Sequence, residues 1–214
     1  MPRVSAKSVV LLAVLVGCAL WLHWPSLGAG LAADDFLNRA MVDGTYPVAR
    51  SPVDLYSFLR KPGELAPLQD AGIAPWWSHP ELKLSLLRPL SSALLWVDQA
   101  LLGLSSRAQH VHSLFWLVAL LISYFLLARR WVGEGAARIA TAILAFDSAL
   151  VAPIAWICNR TALVSATFGA LGLTAYFAFR EGGRRRDALL ALLGASLALA
   201  GGEYAICALA YAAA

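Results

Sequence analysis

At 214 residues, 60% of them hydrophobic and only 14% charged, the chain departs from soluble domains, which are about half apolar and about a quarter charged. Its eight Trp strengthen the signal, because Trp favours membrane interfaces. A soluble fold is excluded, and an all-α, multi-pass transmembrane bundle is the expected class. The net charge of +4 sits mostly in short clusters beside apolar runs, where it sets orientation, so it gives no case for nucleic acid as a partner. Cys18, Cys158 and Cys207 form no CxxC and no disulfide framework, and read as small core residues.

Arg3 and Lys7 precede the first apolar run, Ser8 to Leu27. A basic start before an apolar run also opens a signal peptide. This run continues through Trp21 and Trp24, however, and no clean Ala-x-Ala follows it. About 20 apolar residues cross a bilayer, so the run reads as a span. Asp34 and Asp35 follow it directly, and Asp34 to Val42 reads as a short amphipathic helix in the interface. Residues 28–108 form a long outer loop, broken by Pro47, Pro52, Pro62, Pro67 and Pro75; Trp76-Trp77 reads as an interfacial anchor.

Leu86 to Leu104 is apolar but contains Arg88, Pro89, Asp98 and Gln99. Parity decides its place. The next run, His112 to Leu127, ends in Arg129-Arg130, and a later one ends in Arg180 with Arg184 to Arg186. Short Lys/Arg-rich loops stay cytoplasmic, so these ends and the N-terminus share the inner side. Leu86 to Leu104 is then a juxtamembrane helix on the outer surface. Ile139 to Ile154, Thr161 to Phe179 and Ala188 to Ala200 complete five spans. A sixth run, from near Tyr204 to Ala214, has about half the required length and reads as a truncated span. Residues 1–214 are thus expected to be one transmembrane domain, the N-terminal part of a larger module. The Ala, Leu and Arg bias fits a GC-rich bacterium and hence an inner-membrane address.

Three readings of Asp34-Asp35 stand side by side. The pair suits a general base, since a neighbouring carboxylate raises a pKa. It suits a divalent cation such as Mg or Mn through oxygen ligands. It also suits a helix N-cap. Arg88 and Arg160 offer planar forks suited to a phosphate, although Arg88 reads equally as a snorkelling surface residue. Asp147 and Glu203 lie in or beside apolar runs, where ionisable groups are costly and usually functional. His79, His110 and His112 lack the spacing of a metal helix such as HExxH.

Taken in order, several stretches resemble one family. These are Asp34-Asp35, Arg88-Pro89-Leu90, Trp96-Val97-Asp98, Leu102-Gly103-Leu104, His110, Trp156 to Val164 and Gly202-Glu203. The set resembles the N-terminal half of GT-C fold glycosyltransferases of the protein O-mannosyltransferase type, including those bearing tetratricopeptide repeats and their bacterial homologues. The resemblance implies a polyprenyl-phosphate sugar as donor. It implies Asp34 or Asp35 as base on an acceptor hydroxyl with inversion at the sugar, Arg88 and Arg160 on the donor phosphate, and Glu203 and His110 in support. Two places depart from the pattern. The relatives' His-Pro-x-His-x-Glu reads Asp147 to Ala152 here, and the Lys before the last Glu is Gly202. The alternative is a non-catalytic integral membrane protein, a degenerate homologue or scaffold subunit.

Overall fold

The computed structural model describes residues 4–103 and 105–213; Arg3, Leu104 and Ala214, which bear on the orientation and run ends above, lie outside them. The described residues are α-helical apart from 3-10 turns, loops and one two-stranded ribbon. Helix α1 (Ala6–His23) starts at Ser5, whose hydroxyl accepts from Ser8 N at 3.2 Å. It is apolar on all sides, as a membrane span is, and a 3-10 turn, Trp24–Gly28, extends it. Helix α2 (Asp34–Asp43) closes on Gly44 with φ 75°, the left-handed C-cap that glycine allows. Strand β1 (Ser57–Leu59), α3 (Leu65–Asp70) and β2 (Leu84–Ser85) precede α4 (Pro89–Leu102), α5 (Ser106–Ala145), α6 (Val151–Ala155), α7 (Thr161–Gly182), α8 (Arg185–Gly201) and α9 (Ala205–Ala213). Three segments among the described residues are long and apolar enough to cross a membrane: Ala6–Gly28, Ser106–Ala145 and Ile157–Gly182.

Helix α5 breaks at Gly133, where φ is 75° and ψ 170°. Its first part runs antiparallel to α1: Val4 and Val9 share a cleft with Ile122, Phe125 and Leu126, while His110 at its start reaches Gly30 beyond the end of α1. The residues after Gly133 run back alongside α1. Glu134 accepts from Ser5 N (3.1 Å), Ser5 Oγ (2.7 Å) and Ser8 Oγ (2.7 Å) at one end, and His23 lies against the Ala145 backbone at the other. The expected continuous span Ile139 to Ile154 is therefore corrected. The helix stops at Ala145, and Asp147 caps a 3-10 turn, Ser148–Leu150, accepting from Ala149 N at 2.9 Å. Asp147 is exposed at the end of the run, not held in its middle. Its short side chain competes with the helical backbone, which favours a cap over continuation.

Helices α7 and α8 cross closely. A Cβ on Gly194 would lie 2.5 Å from Gly172 Cα, so only glycine lets these backbones meet. Further along the same contact, the Ser165 hydroxyl reaches Ala198 O and Gly202 O, each at 3.1 Å.

The segment between α1 and α5 is more ordered than its prolines suggest. Met41, Tyr46, Leu55, Phe58, Leu59, Leu65, Leu68, Leu95 and Ile157 form a hydrophobic core of its own. Around it, Tyr46 Oη donates to Phe58 O (2.8 Å), and Arg50 pairs with Glu64 (2.7 Å). The Arg50 bond holds the Glu64 carboxyl down at about 2. Trp76 and Trp77 stand out from this unit, 83% and 69% exposed. Helices form in both stretches where a short amphipathic helix and a juxtamembrane helix were expected, as α2 and α4.

Candidate functional site

The acidic pair follows a strained turn. Ala33 has φ 45° and ψ −115°, near the first central position of a type II′ turn, where glycine is usual. The turn is closed by Asp35 N donating to Ala32 O at 2.9 Å. Such a conformation costs about 1–3 kcal/mol and persists only where surroundings enforce it, typically at functional sites.

The two carboxylates then part company. Asp35 is 3% exposed. Its Oδ2 accepts from Ala32 N (2.9 Å) and its Oδ1 from Cys158 N (2.7 Å), pinning α2 to the 3-10 turn Ile157–Arg160. Asp34 is half-buried and accepts no hydrogen bond from the described residues. Burial raises its pKa; the Asp35 charge adds to the rise and the Arg88 guanidinium opposes it. The N-cap position of α2 belongs to Ala33, without a side-chain bond, so neither aspartate caps this helix in the usual way.

Arg88 precedes α4 and lies between the rings of Tyr56 and Tyr204, with Cζ 5.1 and 5.7 Å from their centroids. Its fork meets Glu203 twice, Nε to Oε2 at 2.9 Å and Nη2 to Oε1. The Arg88 bond in turn keeps the Glu203 carboxyl below its ordinary range. Tyr56 Oη donates to Cys158 O at 2.8 Å, and burial pushes its phenol well up. Asp34, Asp35, Tyr56, Arg88, Cys158 and Glu203 thus form one continuous cluster, drawn from α2, the loop unit, the start of α4, the turn before α7 and the end of α8.

Arg160 lies next to this cluster in sequence but faces the interior. It is 3% exposed. It pairs with Asp98 through Nη2 and donates to Gln109 O from Nη1 at 3.0 Å. Asp98 also meets His112 Nδ1 at 2.6 Å, and His112 Nε2 accepts from Trp116 Nε1 at 2.9 Å. His110, fully buried, sits between Gly30 O (2.8 Å) and Ile154 O (3.2 Å). It ties the loop before the acidic pair to α6. Arg88 and Arg160 therefore both carry carboxylate partners, and the two do not converge on one open phosphate site.

Sequence reasoning missed Tyr56, Tyr204 and the Asp98–His112–Trp116 relay, for which only chain order, not spacing, gave any hint. It also passed over Asn38, fully buried with neither amide atom partnered. The signal for Asn38 was available: it stands three and four residues after Asp35 and Asp34, on the same helical face. Among the described residues no group of three or more His, Cys, Asp or Glu side chains is placed to hold a metal. A divalent ion at the acidic pair would have to share Asp35 with two backbone N–H groups.

No family model matches the sequence, and comparisons with curated proteins and with solved structures find no significant match. The likeness to GT-C transferases rests on the ordered residues alone.

Proposed function

We propose that this chain is a membrane glycosyltransferase of the GT-C type, or the N-terminal half of one. It would transfer a sugar from a polyprenyl-phosphate donor to an acceptor hydroxyl at the outer face of a bacterial inner membrane. The observation that carries this reading is the division of labour in the acidic pair. Asp35 is consumed by two backbone N–H groups, whereas Asp34 is half-buried, raised in pKa and without a hydrogen-bond partner among the described residues. A general base needs that combination: a position fixed by its neighbour and an acceptor oxygen left open for the incoming hydroxyl. In this reading Asp34 is the base, Asp35 a positioning residue, and Arg88 the cation nearest the developing charge, held by Glu203 and the two tyrosines.

The same proposal assigns five membrane passes: α1, the two parts of α5, α7 and α8. The N-terminus, Arg129-Arg130 and Arg184 to Arg186 are inside. Cysteines placed at Ser51 and Arg185, in a background lacking Cys18, Cys158 and Cys207, should label from opposite sides; labelling from one side refutes the arrangement.

The functional test is transfer of a labelled sugar from a polyprenyl phosphate by membranes carrying the protein. Asp34→Asn should abolish transfer while leaving donor binding intact. Asp35→Asn should lower it less and also loosen the fold. If both variants transfer at the wild-type rate, the catalytic reading fails. A non-catalytic membrane protein is the second reading, favoured by the neutralisation of Arg88 by Glu203 and of Arg160 by Asp98.

A further inference from the structure

The end of the bundle opposite the acidic pair holds a second feature, a cleft of about 840 Å³ between α5, α7 and α8. Its two halves differ in chemistry. One is apolar, walled by Phe168, Leu171, Leu190 and Leu193. The other is basic, with Arg129, Arg130, Arg184 and Arg186 against two carboxylates, Glu181 and Asp187.

Arg130 decides what this cleft suits. Its side chain is only 7% exposed, and Nη2 bonds Glu181 at 2.6 Å. Nε and Nη1 are buried with no partner. A buried guanidinium with two idle donors is costly, and those donors can be satisfied by the paired oxygens of a phosphate. Glu181 itself is 70% exposed, so it neither buries the cation nor fills the cleft. Arg184 is engaged by Asp187 through Nε at 2.8 Å, which leaves its terminal nitrogens facing outward.

We propose that this cleft binds an anionic phospholipid, with the phosphodiester on Arg130 and the flanking arginines at its mouth and an acyl chain along the leucine-lined wall. The amphiphilic match argues for a lipid over a soluble phosphate. The polar and apolar walls belong to one continuous cleft, and its basic half lies at arginine-rich helix ends of the kind that meet anionic headgroups. The inference is independent of the transferase reading, because it uses residues at the other end of the molecule.

The test is native mass spectrometry of the purified protein titrated with phosphatidylglycerol or with the diacylglycerol of the same acyl chains, which lacks the phosphodiester, with glycerol 3-phosphate as competitor. Phosphatidylglycerol should be retained about tenfold more tightly than the diacylglycerol, the effect of one good charge-assisted contact. Arg130→Gln should erase that preference. Glu181→Gln should keep or strengthen it, since it breaks the same ion pair but leaves the cation. An equivalent change at Arg107→Gln, at the far end of α5, should do nothing. Equal retention of the two lipids overturns the proposal. So does a preference that survives Arg130→Gln or is lost equally in Glu181→Gln; the latter would make the pair merely structural. Displacement by glycerol 3-phosphate at matching concentration would show a free-phosphate site and refute the lipid.

Discussion

Removing the Asp98 carboxylate should be among the most damaging single changes in this protein. Asp98 and Arg160 side chains are each 4% exposed, and they pair directly across α4 and the turn before α7. Asp98 also receives His112. Trp116 Nε1 can only donate, so His112 Nε2 must be the acceptor of their 2.9 Å bond. The ring proton therefore sits on Nδ1 and is donated to Asp98 Oδ1 at 2.6 Å. Asp98→Ala deprives both donors, Arg160 and His112, of their acceptor at once. The guanidinium is left buried with Gln109 O, 3.0 Å away, as its remaining partner among the described residues. Breaking a buried pair on one side costs about 3–5 kcal/mol, and orphaning the His112 N–H adds about 1 kcal/mol or more. The two terms share an acceptor, so they do not simply add.

The double change Asp98→Leu with Arg160→Met removes both charges and keeps the volume. It should recover most of the loss, because well-packed apolar residues replace a buried pair at little cost. Denaturant unfolding in mixed micelles, followed by tryptophan fluorescence, reads all three proteins. If Asp98→Ala lies within about 1 kcal/mol of the wild type, the pair is not the buried element described here. If the double variant is no better than the single one, uncompensated charge is not the cause.

Three other outcomes follow from the same structure. Ala33→Gly should stabilise the protein by about 1 kcal/mol, since glycine adopts a positive φ without strain, and should lower turnover by loosening Asp34; unfolding midpoints and transfer rates report the two effects separately. Gly194→Ala should destabilise by about 1–3 kcal/mol or more, because its methyl would meet Gly172 backbone atoms at 2.5 and 2.8 Å; an unchanged midpoint would mean that the α7–α8 crossing is looser than described. For Asp34, whose carboxyl is raised above its usual 3.8 by burial, the sign runs as for any raised acid. The contribution to stability is full below the unfolded value and is lost as pH rises through the folded one, whereas a base works only once deprotonated. Transfer should therefore fall with decreasing pH through a value above the ordinary aspartate range, and Asp34→Asn should be inactive yet no less stable at neutral pH; a rate flat across that range contradicts the role.

Much of the architecture was legible in the residues. The apolar runs gave α1, α7 and α8 close to their observed bounds, and two of the arginine clusters meet where the first part of α5 and α7 end, with Arg130 bonded to Glu181. Helix α4, Pro89–Leu102, lies within the expected Leu86 to Leu104. The reversal at Gly133 falls between the expected runs His112 to Leu127 and Ile139 to Ile154, beside Arg129-Arg130, where the chain had to turn back. Two things were not legible. The stop at Ala145 comes inside an apolar pattern that continues to Ile154, and no periodicity registers it. The small core around Leu55 and Phe58 is built from residues scattered among prolines and only becomes a core when α4 and Ile157 close over it.

The site was legible in membership more than in role. Asp34, Asp35, Arg88 and Glu203 do meet, but chain order cannot say which charges are already spent. Arg160, expected at the outer end of a span where positive charge is disfavoured, called for a partner or a ligand; Asp98, on α4, supplies that partner internally. The same accounting narrows the chemistry proposed at Asp34. With Arg160 committed to Asp98, Arg88 is the cation electrostatically coupled to Asp34, and its contact with Glu203 is half-exposed, with 47% of the Glu203 side chain accessible. A donor phosphate would reach the cluster by competing with Glu203 for the Arg88 fork. Glu203→Gln should then tighten donor binding, whereas Arg88→Ala should weaken it. Opposite signs from the two partners of one ion pair are what a shared guanidinium produces; losses of equal size in both would mark the pair as scaffolding.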